Sequence, residues 1–421
     1  MRIAMIGTRG VPARYGGFET AVEEIGARLA RRGHELVVYC RGGDRSPQFR
    51  GMQRVNLPAV PRRTLETLSH TAVSACHLLI HRTDVAILFN VANAPLLPLV
   101  RAARIPVAVH VDGLEWRRTK WGPNGRRYYL AAERLAVRWA DELIADARGI
   151  QEYYRTRYGA QSRFLAYGAP LVAAPDPAKL AAVGLAPGGY HLVVARMEPE
   201  NHVGVIVRGY LAHRAELPLV VVGSVPYPAE HEAEIKRLAA TDERVRMLGS
   251  VWDQDLLDSL YAGAASYLHG HSVGGTNPSL LRAMGAGAPV IAWDVNFNRE
   301  VLGGTGAFFS SPETVGDLVL AVEQDRAAAV RRGLAGRERA TACYSWDQVA
   351  LGYEQLCEDL TVGVRRAEAV LHRVPSARRI PTARRAAPEE HLLPEPVAGQ
   401  SPTRPARPGG TPGTDPPRDQ P

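Results

Sequence analysis

The chain alternates short apolar runs with amphipathic stretches, and this alternation occurs twice along its length. In the first half, runs typical of buried strands cover Arg2–Ile6, Glu35–Tyr39, Asp84–Phe89, Pro106–His110 and Glu142–Ala145. The stretches between them, such as Phe18–Arg32 and Gly125–Ala140, carry apolar residues at helical spacing. Strands that alternate with helices favour a parallel sheet covered by helices on both faces.

The pattern restarts in the second half, with predicted strands at His191–Val194, Pro218–Val222, Val245–Leu248, Ala265–Leu268 and Pro289–Ala292. A chain of 421 residues exceeds one ordinary domain. We therefore predict an α/β protein with two Rossmann-like lobes, residues 1–168 and 169–365, and a cleft between them. Ligands of such sheets bind outside the carboxyl ends of the strands.

The C-terminal segment, residues 366–421, has a different composition. Twelve of residues 371–421 are proline, and neither the strand period nor the helix period continues there. Such a segment buries too little apolar surface to offset the entropy lost on ordering. We predict a disordered tail.

The net charge of +8 is divided unevenly along the chain. Residues 1–168 carry 26 Lys and Arg against 14 Asp and Glu, a balance of +12, whereas residues 169–365 carry 16 against 23, a balance of −7. This asymmetry predicts an anionic partner for the first half, such as an anionic membrane surface or a phosphorylated substrate, although a solvated surface explains it as well. No motif of a nucleic-acid-binding module is present, so we expect no nucleic-acid partner.

The cysteines and the apolar runs exclude several classes of protein. The four cysteines are scattered and form no CxxC pair, which argues against a disulfide framework and fits a reducing cytoplasm. No apolar run reaches the roughly 18 residues of a membrane span. We therefore expect a cytoplasmic protein that is soluble or peripheral at the inner face of the membrane.

The segment GTRGVPARYGGFET, residues 7–20, follows the first predicted strand and leads into a helix. Glycines let the backbone approach a ligand, and helix N-terminal amides favour anions, so Gly16 and Gly17 are candidates for contact with a phosphate or a sugar that carries one. A dinucleotide site requires GxGxxG and an acidic residue after the second strand, and this chain has neither. A purely structural turn is the alternative.

A second candidate segment, HVDGLEWRRTKWG at residues 110–122, follows another predicted strand. It combines one histidine, two acids and three basic residues, a density that indicates substrate chemistry. Its two tryptophans, Trp116 and Trp121, fit either a binding surface or the core.

Two further segments of the second half combine charged or glycine-rich turns with helix starts. Arg196 lies two residues after a predicted strand, and a guanidinium beside a helix start suits a diphosphate. Glu200 and Asn201 lie in the same turn. In HGHSVGGTNPSLLRAMGAGAPVIA, which begins at residue 269, the amides of Thr276 and Asn277 are expected to face the anion.

Two patterns that resemble metal sites have simpler explanations. Asp253-Gln254-Asp255 is a DxD, but it precedes the predicted helix Leu256–Tyr261, where aspartate is an ordinary N-cap. His269 and His271 are two residues apart with no third ligand in view. We therefore predict no metal site.

Together these motifs resemble family 4 of the retaining glycosyltransferases, which have the GT-B fold. Within that family the chain is similar to the branch with an N-terminal rhamnosyltransferase-type domain. The resemblance covers about residues 1–360 and rests on GTRGVPARYGGFET, VDGLEWRRTKW, ARMEPEN, HGHSVGGTNPSLL and FNREVLG. It implies metal-independent transfer of a sugar from a nucleotide diphosphate donor, with retained anomeric configuration and no cofactor. The implied acceptors are sugars or lipid-linked sugars of polysaccharide and cell-envelope glycan pathways.

The resemblance also implies roles for single residues. Asp112 stands where many relatives have a histidine near the sugar, His110 lies close by, and Glu300 matches an acid near the transferred sugar. Because charge develops on the leaving phosphate, cations and amides around it supply most of the catalysis. The residues implied to line the diphosphate are Gly16, Gly17 and Arg196.

Two positions depart from the pattern of the wider family. Asn201 stands in place of a lysine, as is common in this branch, and Arg282 stands in place of a glutamate that accepts hydrogen bonds from the ribose. A guanidinium is a donor only, so it does not replace that acceptor. We hypothesise that Arg282 contacts phosphate instead, and the alternative is that it points to solvent.

The sequence leaves the substrate and part of the function open. A deoxysugar nucleotide such as dTDP-rhamnose is the donor we expect. The alternatives to an active transferase are a non-catalytic GT-B homologue that acts as a binding subunit, which Arg282 favours, and a sugar-nucleotide epimerase.

Overall fold

The computed structural model of the chain describes residues 1–13, 16–42, 45–62, 65–111, 113–224 and 230–371, with side chains up to residue 363. These residues lie in one compact unit. Asp112 and residues 372–421 lie outside the described residues, so the roles predicted for Asp112 and for the tail remain predictions.

The first lobe is built on eight strands: β1 (Arg2–Ile6), β2 (Glu35–Cys40), β3 (Gln48–Phe49), β4 (Met52–Asn56), β5 (Val85–Phe89), β6 (Val107–Val111), β7 (Glu142–Ala145) and β8 (Arg163–Phe164). They form one sheet in the order β3-β4-β2-β1-β5-β6-β7-β8. Every neighbouring pair is parallel except β3 with β4. The first strand therefore lies inside the sheet, with Ala4 opposite Val37 on one side and Ala86 on the other.

Five helices connect these strands: α1 (Gly17–Arg31), α2 (Glu66–Ile80), α3 (Leu97–Ala102), α4 (Pro123–Trp139) and α5 (Arg148–Tyr158). Proline is the first residue of α4, where its fixed φ suits a helix start and its missing N–H costs no hydrogen bond. Gly159 ends α5 in the left-handed conformation at φ 64°. Local sequence thus sets the ends of both helices that flank β7.

The second lobe repeats the design with six strands: β9 (His191–Val194), β10 (Leu219–Val222), β11 (Val245–Gly249), β12 (Ser266–His269), β13 (Val290–Trp293) and β14 (Ala307–Phe309). They form an all-parallel sheet in the order β11-β10-β9-β12-β13-β14. The helices are α6 (Pro177–Ala182), α7 (Val203–Leu211), α8 (Glu230–Ala239), α9 (Gln254–Ala262), α10 (Pro278–Gly285), α11 (Asn296–Leu302), α12 (Pro312–Gln324), α13 (Arg326–Cys343) and α14 (Trp346–Leu371).

Helix α14 follows the second lobe in sequence but packs against α1 of the first. Asp347 accepts a hydrogen bond from Arg28 Nε at 2.7 Å, and Glu354 forms an ion pair with Arg32 at 2.7 Å. The helix ends at Leu371, so residues 366–371, which the sequence assigned to the tail, are helical. The boundaries proposed for the two lobes remain a proposal.

The predicted two-lobed α/β architecture is confirmed, and every predicted strand is present within one residue of its predicted ends. One hydrophobic core contains buried residues of both sheets, including Met5 and Ile144 of the first and Leu192 and Tyr267 of the second. Four strands were not predicted, β3, β4, β8 and β14, because they are short or polar. Within the described part of the chain, no helix combines the length and the apolar character that crossing a bilayer requires.

Candidate functional site

The order of the strands locates a ligand-binding edge in the second lobe. Strand β9 is the first strand of the second lobe and lies between β10 and β12 in the sheet. The chain therefore builds β10 and β11 on one side of β9 and then crosses to add β12 and β13 on the other side. Ligands of open parallel sheets bind at such a point, outside the carboxyl ends of the strands. The segments that begin there are Arg196–Asn201 after β9 and the loop from Gly270 to Asn277 after β12.

The glycine pair at the start of α1 lies against this edge. Gly16 has a φ of 107°, which side chains other than hydrogen rarely tolerate. A Cβ at Gly17 would lie 3.2 Å from Cγ of Pro278, the first residue of α10. Helix α1 of the first lobe and helix α10 of the second therefore bring their N-termini together, as a shared anion site requires.

The side chains around the start of α10 hold the loop and the lobes in place. Asn277 Oδ1 caps α10 by accepting from the backbone N–H of Ser279 at 2.9 Å. Thr276 Oγ1 donates to the backbone oxygen of Asp146, which directly follows β7 of the first lobe, at 2.5 Å. Both side chains are engaged inside the protein, and the predicted contact of their amides with an anion stays a prediction.

His110, at the end of β6, is enclosed by aromatic rings. Its ring stacks against Phe89 and Tyr167, with centroid distances of 5.6 and 5.8 Å, and Phe18 of α1 meets it edge-on at 5.2 Å. Burial lowers the pKa of His110 to about 3, so the imidazole is neutral at physiological pH. In the described part of the structure neither ring nitrogen has a hydrogen-bond partner. A neutral imidazole there has one hydrogen-bond donor and one acceptor and does not carry charge.

The turn after β9 contains three predicted donor-binding residues. Arg196 has a third of its side chain exposed, and its Nη1 donates to Glu198 Oε1 at 3.2 Å. The carboxylate of Glu200 is buried and accepts from Thr119 Oγ1 of the first lobe at 3.0 Å. Both polar atoms of the Asn201 side-chain amide are hydrogen-bonded: Nδ2 donates to the backbone oxygen of Arg196, and Oδ1 is bonded to His271 Nδ1. Arg196 is thus the accessible member of the three.

Glu300 is engaged across the lobes. Both of its carboxylate oxygens accept from the backbone N–H of Arg148, the first residue of α5, at 3.0 Å. A carboxylate at a helix N-terminus is stabilised by the unpaired amides and the helix dipole. The position near a transferred sugar that the resemblance implies for Glu300 stays a prediction.

Arg282 does not point to solvent. Its Nη1 lies 3.0 Å from Asp258 Oδ1 and donates to Gln254 Oε1 at 2.9 Å, so the guanidinium joins α10 to α9. This contradicts the alternative that Arg282 points to solvent, whereas its hypothesised contact with phosphate stays a prediction.

The DxD segment has the role expected of an N-cap. Asp253 Oδ1 accepts from the backbone N–H groups of Asp255 and Leu256 at the start of α9, at 2.9 and 3.2 Å. Lys179 Nζ lies between the two carboxylates, 3.2 and 3.4 Å away. Across the residues that the structure describes, no group of three His, Cys, Asp or Glu side chains is arranged to hold a metal ion.

Three residues near this edge were missed by the sequence analysis. Arg118 forms ion pairs within the first lobe and across to the second, Asn298 Nδ2 donates to the backbone oxygen of His271 at 2.9 Å, and Asp146 follows β7. Asp146 directly follows a strand, which is a usable signal, whereas Arg118 lies seven residues after the end of β6. Which of the adjacent arginines Arg117 and Arg118 turns inward depends on the contact between lobes and not on spacing.

Two family models match successive parts of the chain. The model described as "Glycosyltransferase Family 4" matches residues 15–164, and the model described as "Glycosyl transferases group 1" matches residues 189–325. The first match falls on the first lobe and the second on the second lobe.

Among curated proteins, the chain is similar to two mannosyltransferases. It is 28% identical to O-antigen chain mannosyltransferase B of Escherichia coli over 169 residues, which cover 38% of this chain and 43% of that protein. It is 25% identical to GDP-mannose-dependent alpha-(1-6)-phosphatidylinositol monomannoside mannosyltransferase of Mycobacterium tuberculosis over 388 residues, which cover 83% of this chain and 96% of that protein.

Among solved structures, the fold is similar to sucrose-phosphate synthase from Thermosynechococcus elongatus, with a TM-score of 0.73 at 21% identity over 86% of this chain and 99% of the other. It is also similar to Anabaena Alr3699/HepE in complex with UDP, with a TM-score of 0.68 at 15% identity over 86% of this chain and all of the other. These likenesses extend over both lobes and establish the GT-B fold.

Proposed function

We propose that this chain, which carries a Glycosyltransferase Family 4 domain and a group 1 glycosyltransferase domain on one GT-B fold, transfers a sugar from a nucleotide diphosphate donor to an acceptor. One observation carries the proposal. The N-termini of α1 and α10, from different lobes, meet at the carboxyl edge of the second sheet, and Arg196 follows β9 at the switch point of that sheet. Helix N-termini with a guanidinium nearby form a site for a diphosphate.

In the proposed mechanism, the groups around the diphosphate stabilise the charge that develops when the bond from sugar to phosphate breaks. Arg196 and the amides at the start of α10 supply that stabilisation without a metal ion. His110, Asp112 and Glu300 act near the sugar and the acceptor, and the anomeric configuration is retained. The neutral His110 orients hydroxyl groups by hydrogen bonding.

We further propose that the acceptor is a sugar or lipid-linked sugar presented at an anionic membrane surface. Support comes from α4, where Arg127, Arg134 and Arg138 are exposed along one side of the helix. The only acid in that helix, Glu133, is buried on the opposite side. These arginines form no ion pair with any described residue, so their charge is available to an anionic surface.

Three classes of nucleotide sugar are candidates for the donor. The resemblance to the branch with an N-terminal rhamnosyltransferase-type domain implies a deoxysugar nucleotide such as dTDP-rhamnose. The name of the mycobacterial relative includes GDP-mannose, and the Anabaena structure holds UDP, so these carriers are equal candidates.

A donor panel tests the proposal. The full chain is incubated with GDP-mannose, UDP-glucose and dTDP-rhamnose, first for thermal shift and then with free and lipid-linked sugar acceptors. We expect one donor to raise the melting temperature and to give a product heavier by one sugar, with retained configuration by NMR and unchanged yield in EDTA. Binding of none of the nucleotide sugars contradicts the proposal.

A second candidate function is a binding subunit without catalysis, and Arg282 favours it. The guanidinium is engaged by α9 and offers no acceptor for ribose hydroxyls. Donor binding without turnover in the same panel would support this candidate. Conversion of the donor without any acceptor would instead indicate an epimerase.

A further inference from the structure

Two arginines from different lobes lie on either side of one carboxylate. Arg196 Nη1 of the second lobe is 3.2 Å from Glu198 Oε1, and Arg118 Nη1 of the first lobe is 3.7 Å from Glu198 Oε2. A carboxylate between two guanidinium groups occupies the kind of position that a phosphate takes, because both anions present oxygens to forked donors.

Arg118 is held in place from its own lobe. Its side chain is 9% exposed, and its Nε lies 2.6 Å from Glu115 Oε1, three residues earlier in the same segment. The opposite end of the guanidinium faces the second lobe, with Nη1 3.6 Å from Glu200 Oε1. The charge of Arg118 is therefore fixed at the boundary between the lobes and directed at the turn after β9.

The contacts of Arg118 Nη1 with Glu198 and Glu200 are ion pairs and not close hydrogen bonds. The separations of 3.6 and 3.7 Å exceed hydrogen-bond length, and Glu198 Oε2 and Glu200 Oε1 have no hydrogen-bond partner in the described part of the chain. A ligand oxygen that approached Arg118 would form the short charge-assisted contact that these carboxylates do not.

His271 joins the loop after β12 to the turn that contains Arg196. Burial is the main cause that holds the pKa of His271 well below its usual value, and the positive charges of Arg118 and Arg196 lower the pKa further. His271 Nδ1 is 2.7 Å from Asn201 Oδ1, so this loop and the turn after β9 are joined beside the two cations.

We propose that Arg118 is a donor-phosphate ligand supplied by the first lobe, and that the diphosphate displaces the carboxylate of Glu198 from between Arg118 and Arg196. The inference rests on the proposed function. It provides a second cation at a turn where Asn201 is neutral, and it makes the phosphate site complete only when the lobes are together.

An alternative role for Arg118 is to hold the lobes together without touching a ligand. That role predicts that its loss lowers stability and weakens all ligands alike. The proposed role predicts that the loss depends on the number of phosphates. It also predicts that removing the charge of Glu198 strengthens binding, whereas a purely structural ion pair predicts the opposite.

Calorimetric titration separates the two roles. Wild type, Arg118→Gln, Arg118→Lys and Glu198→Gln are titrated with a nucleoside, its monophosphate and its diphosphate, using UDP, GDP or dTDP according to what wild type binds. Arg117→Gln is the matched control, because Arg117 is exposed and contacts the Trp116 ring. Melting temperatures identify variants that fold poorly.

We expect Arg118→Gln to weaken diphosphate binding at least tenfold with little change for the nucleoside, Arg118→Lys to lose less, and Glu198→Gln to bind diphosphate several-fold more tightly. Equal losses for nucleoside and diphosphate, an unchanged diphosphate affinity in Arg118→Gln, or weaker binding in Glu198→Gln overturns the inference. If wild type binds no nucleoside diphosphate, the proposed function itself fails and the inference falls with it.

Discussion

At the scale of single residues, Arg196 presents its charge at the carboxyl end of β9 with a third of its side chain exposed. Arg196→Ala removes a cation from the proposed leaving phosphate. We expect kcat/KM to fall by about two to three orders of magnitude, roughly 3–4 kcal/mol of transition-state stabilisation, in steady-state assays with the donor found in the panel.

The control for this prediction is Arg208→Ala. Arg208 lies on α7 of the same lobe and forms an ion pair with Glu234 at 3.5 Å, so its loss removes the same charge from a different surface. Equal activity of Arg196→Ala and Arg208→Ala would contradict the placement of the diphosphate.

His110 links the candidate site to the pH dependence of stability. Its pKa is about 3 in the folded chain because of burial, whereas an unfolded histidine has a pKa of about 6.5. Above pH 6.5 both states are neutral. Below it the unfolded state binds a proton that the folded state does not bind until pH approaches 3, so stability falls with pH across this window.

We expect this effect to be visible between pH 7.5 and 5.5. For wild type the His110 contribution lowers the free energy of unfolding by about 1.4 kcal/mol over this interval, and His110→Gln removes that part of the loss. Urea unfolding of both proteins at both pH values measures it. The difference between the two pH values is the readout, so a general loss of stability in the variant does not obscure the result. An identical pH dependence of stability in wild type and variant would show that folding does not lower the pKa of His110.

At the scale of secondary-structure elements, the sequence predicted what depends on local period and missed what depends on packing. The apolar runs of β1 and β9 are buried on both faces, so their strands were evident. Strand β4, with the sequence MQRVN, has no such run and pairs with β2 through tertiary context. The helix cap at Asp253 was predictable because it depends on neighbours in sequence.

The candidate site shows the same division. Arg196 and the glycine pair were found because they lie at a strand end and a helix start. The inward position of Arg118 depends on the approach of the second lobe, and the partner of Arg282 depends on how α9 packs beside α10. Neither is encoded in local spacing.

The pairing of α9 with α10 through Arg282 and Asp258 is tested by exchanging the charges. Arg282→Glu places a carboxylate beside Asp258, and we expect it to lower stability by a few tenths to about 1 kcal/mol, because the pair is partly exposed. The double variant Arg282→Glu/Asp258→Arg restores opposite charges and should recover that loss. Urea unfolding measures both variants. Additive losses in the double variant would show that the two side chains do not interact in solution.

Helix α4 is the element expected to contact an anionic membrane. Each basic residue near such a surface contributes about 1 kcal/mol, so Arg127→Gln/Arg134→Gln/Arg138→Gln should weaken binding to acidic vesicles about a hundredfold. Because salt screens this attraction, wild-type binding should also decline as ionic strength rises. Vesicle sedimentation at low and high salt measures both effects.

A triple variant of the second lobe provides the control. Arg208→Gln/Arg237→Gln/Arg331→Gln removes the same charge from α7, α8 and α13, where the three arginines are exposed. Equal loss of vesicle binding in the two triple variants would show that net charge, and not the face of α4, is responsible.

At the scale of the whole molecule, the two lobes meet at the candidate site and again at α14. Near the site, Thr276 contacts the backbone of Asp146 and Glu300 contacts the backbone of Arg148. Away from it, α14 returns to pack on α1. The lobes therefore meet both beside the proposed reaction and away from it, and closure of the lobes at the site should be coupled to catalysis.

Gly113 tests that coupling, because the backbones of the two lobes approach each other so closely there that a side chain has no space. A Cβ at Gly113 would overlap the backbone of Gly274 in the other lobe, so Gly113→Ala requires the loops to separate. Displacement of reacting groups by about 1 Å costs about a hundredfold in rate, and we expect a loss of roughly ten- to a hundredfold in kcat/KM, together with a lower melting temperature because the atoms that must move are backbone atoms. The matched control is Gly122→Ala in the same segment, where a Cβ would have no neighbour within 4 Å among the described residues. Wild-type kinetics in Gly113→Ala would show that catalysis does not need the close contact between Gly113 and Gly274. A loss of activity in Gly113→Ala but not in Gly122→Ala would show that catalysis depends on closure of the two lobes.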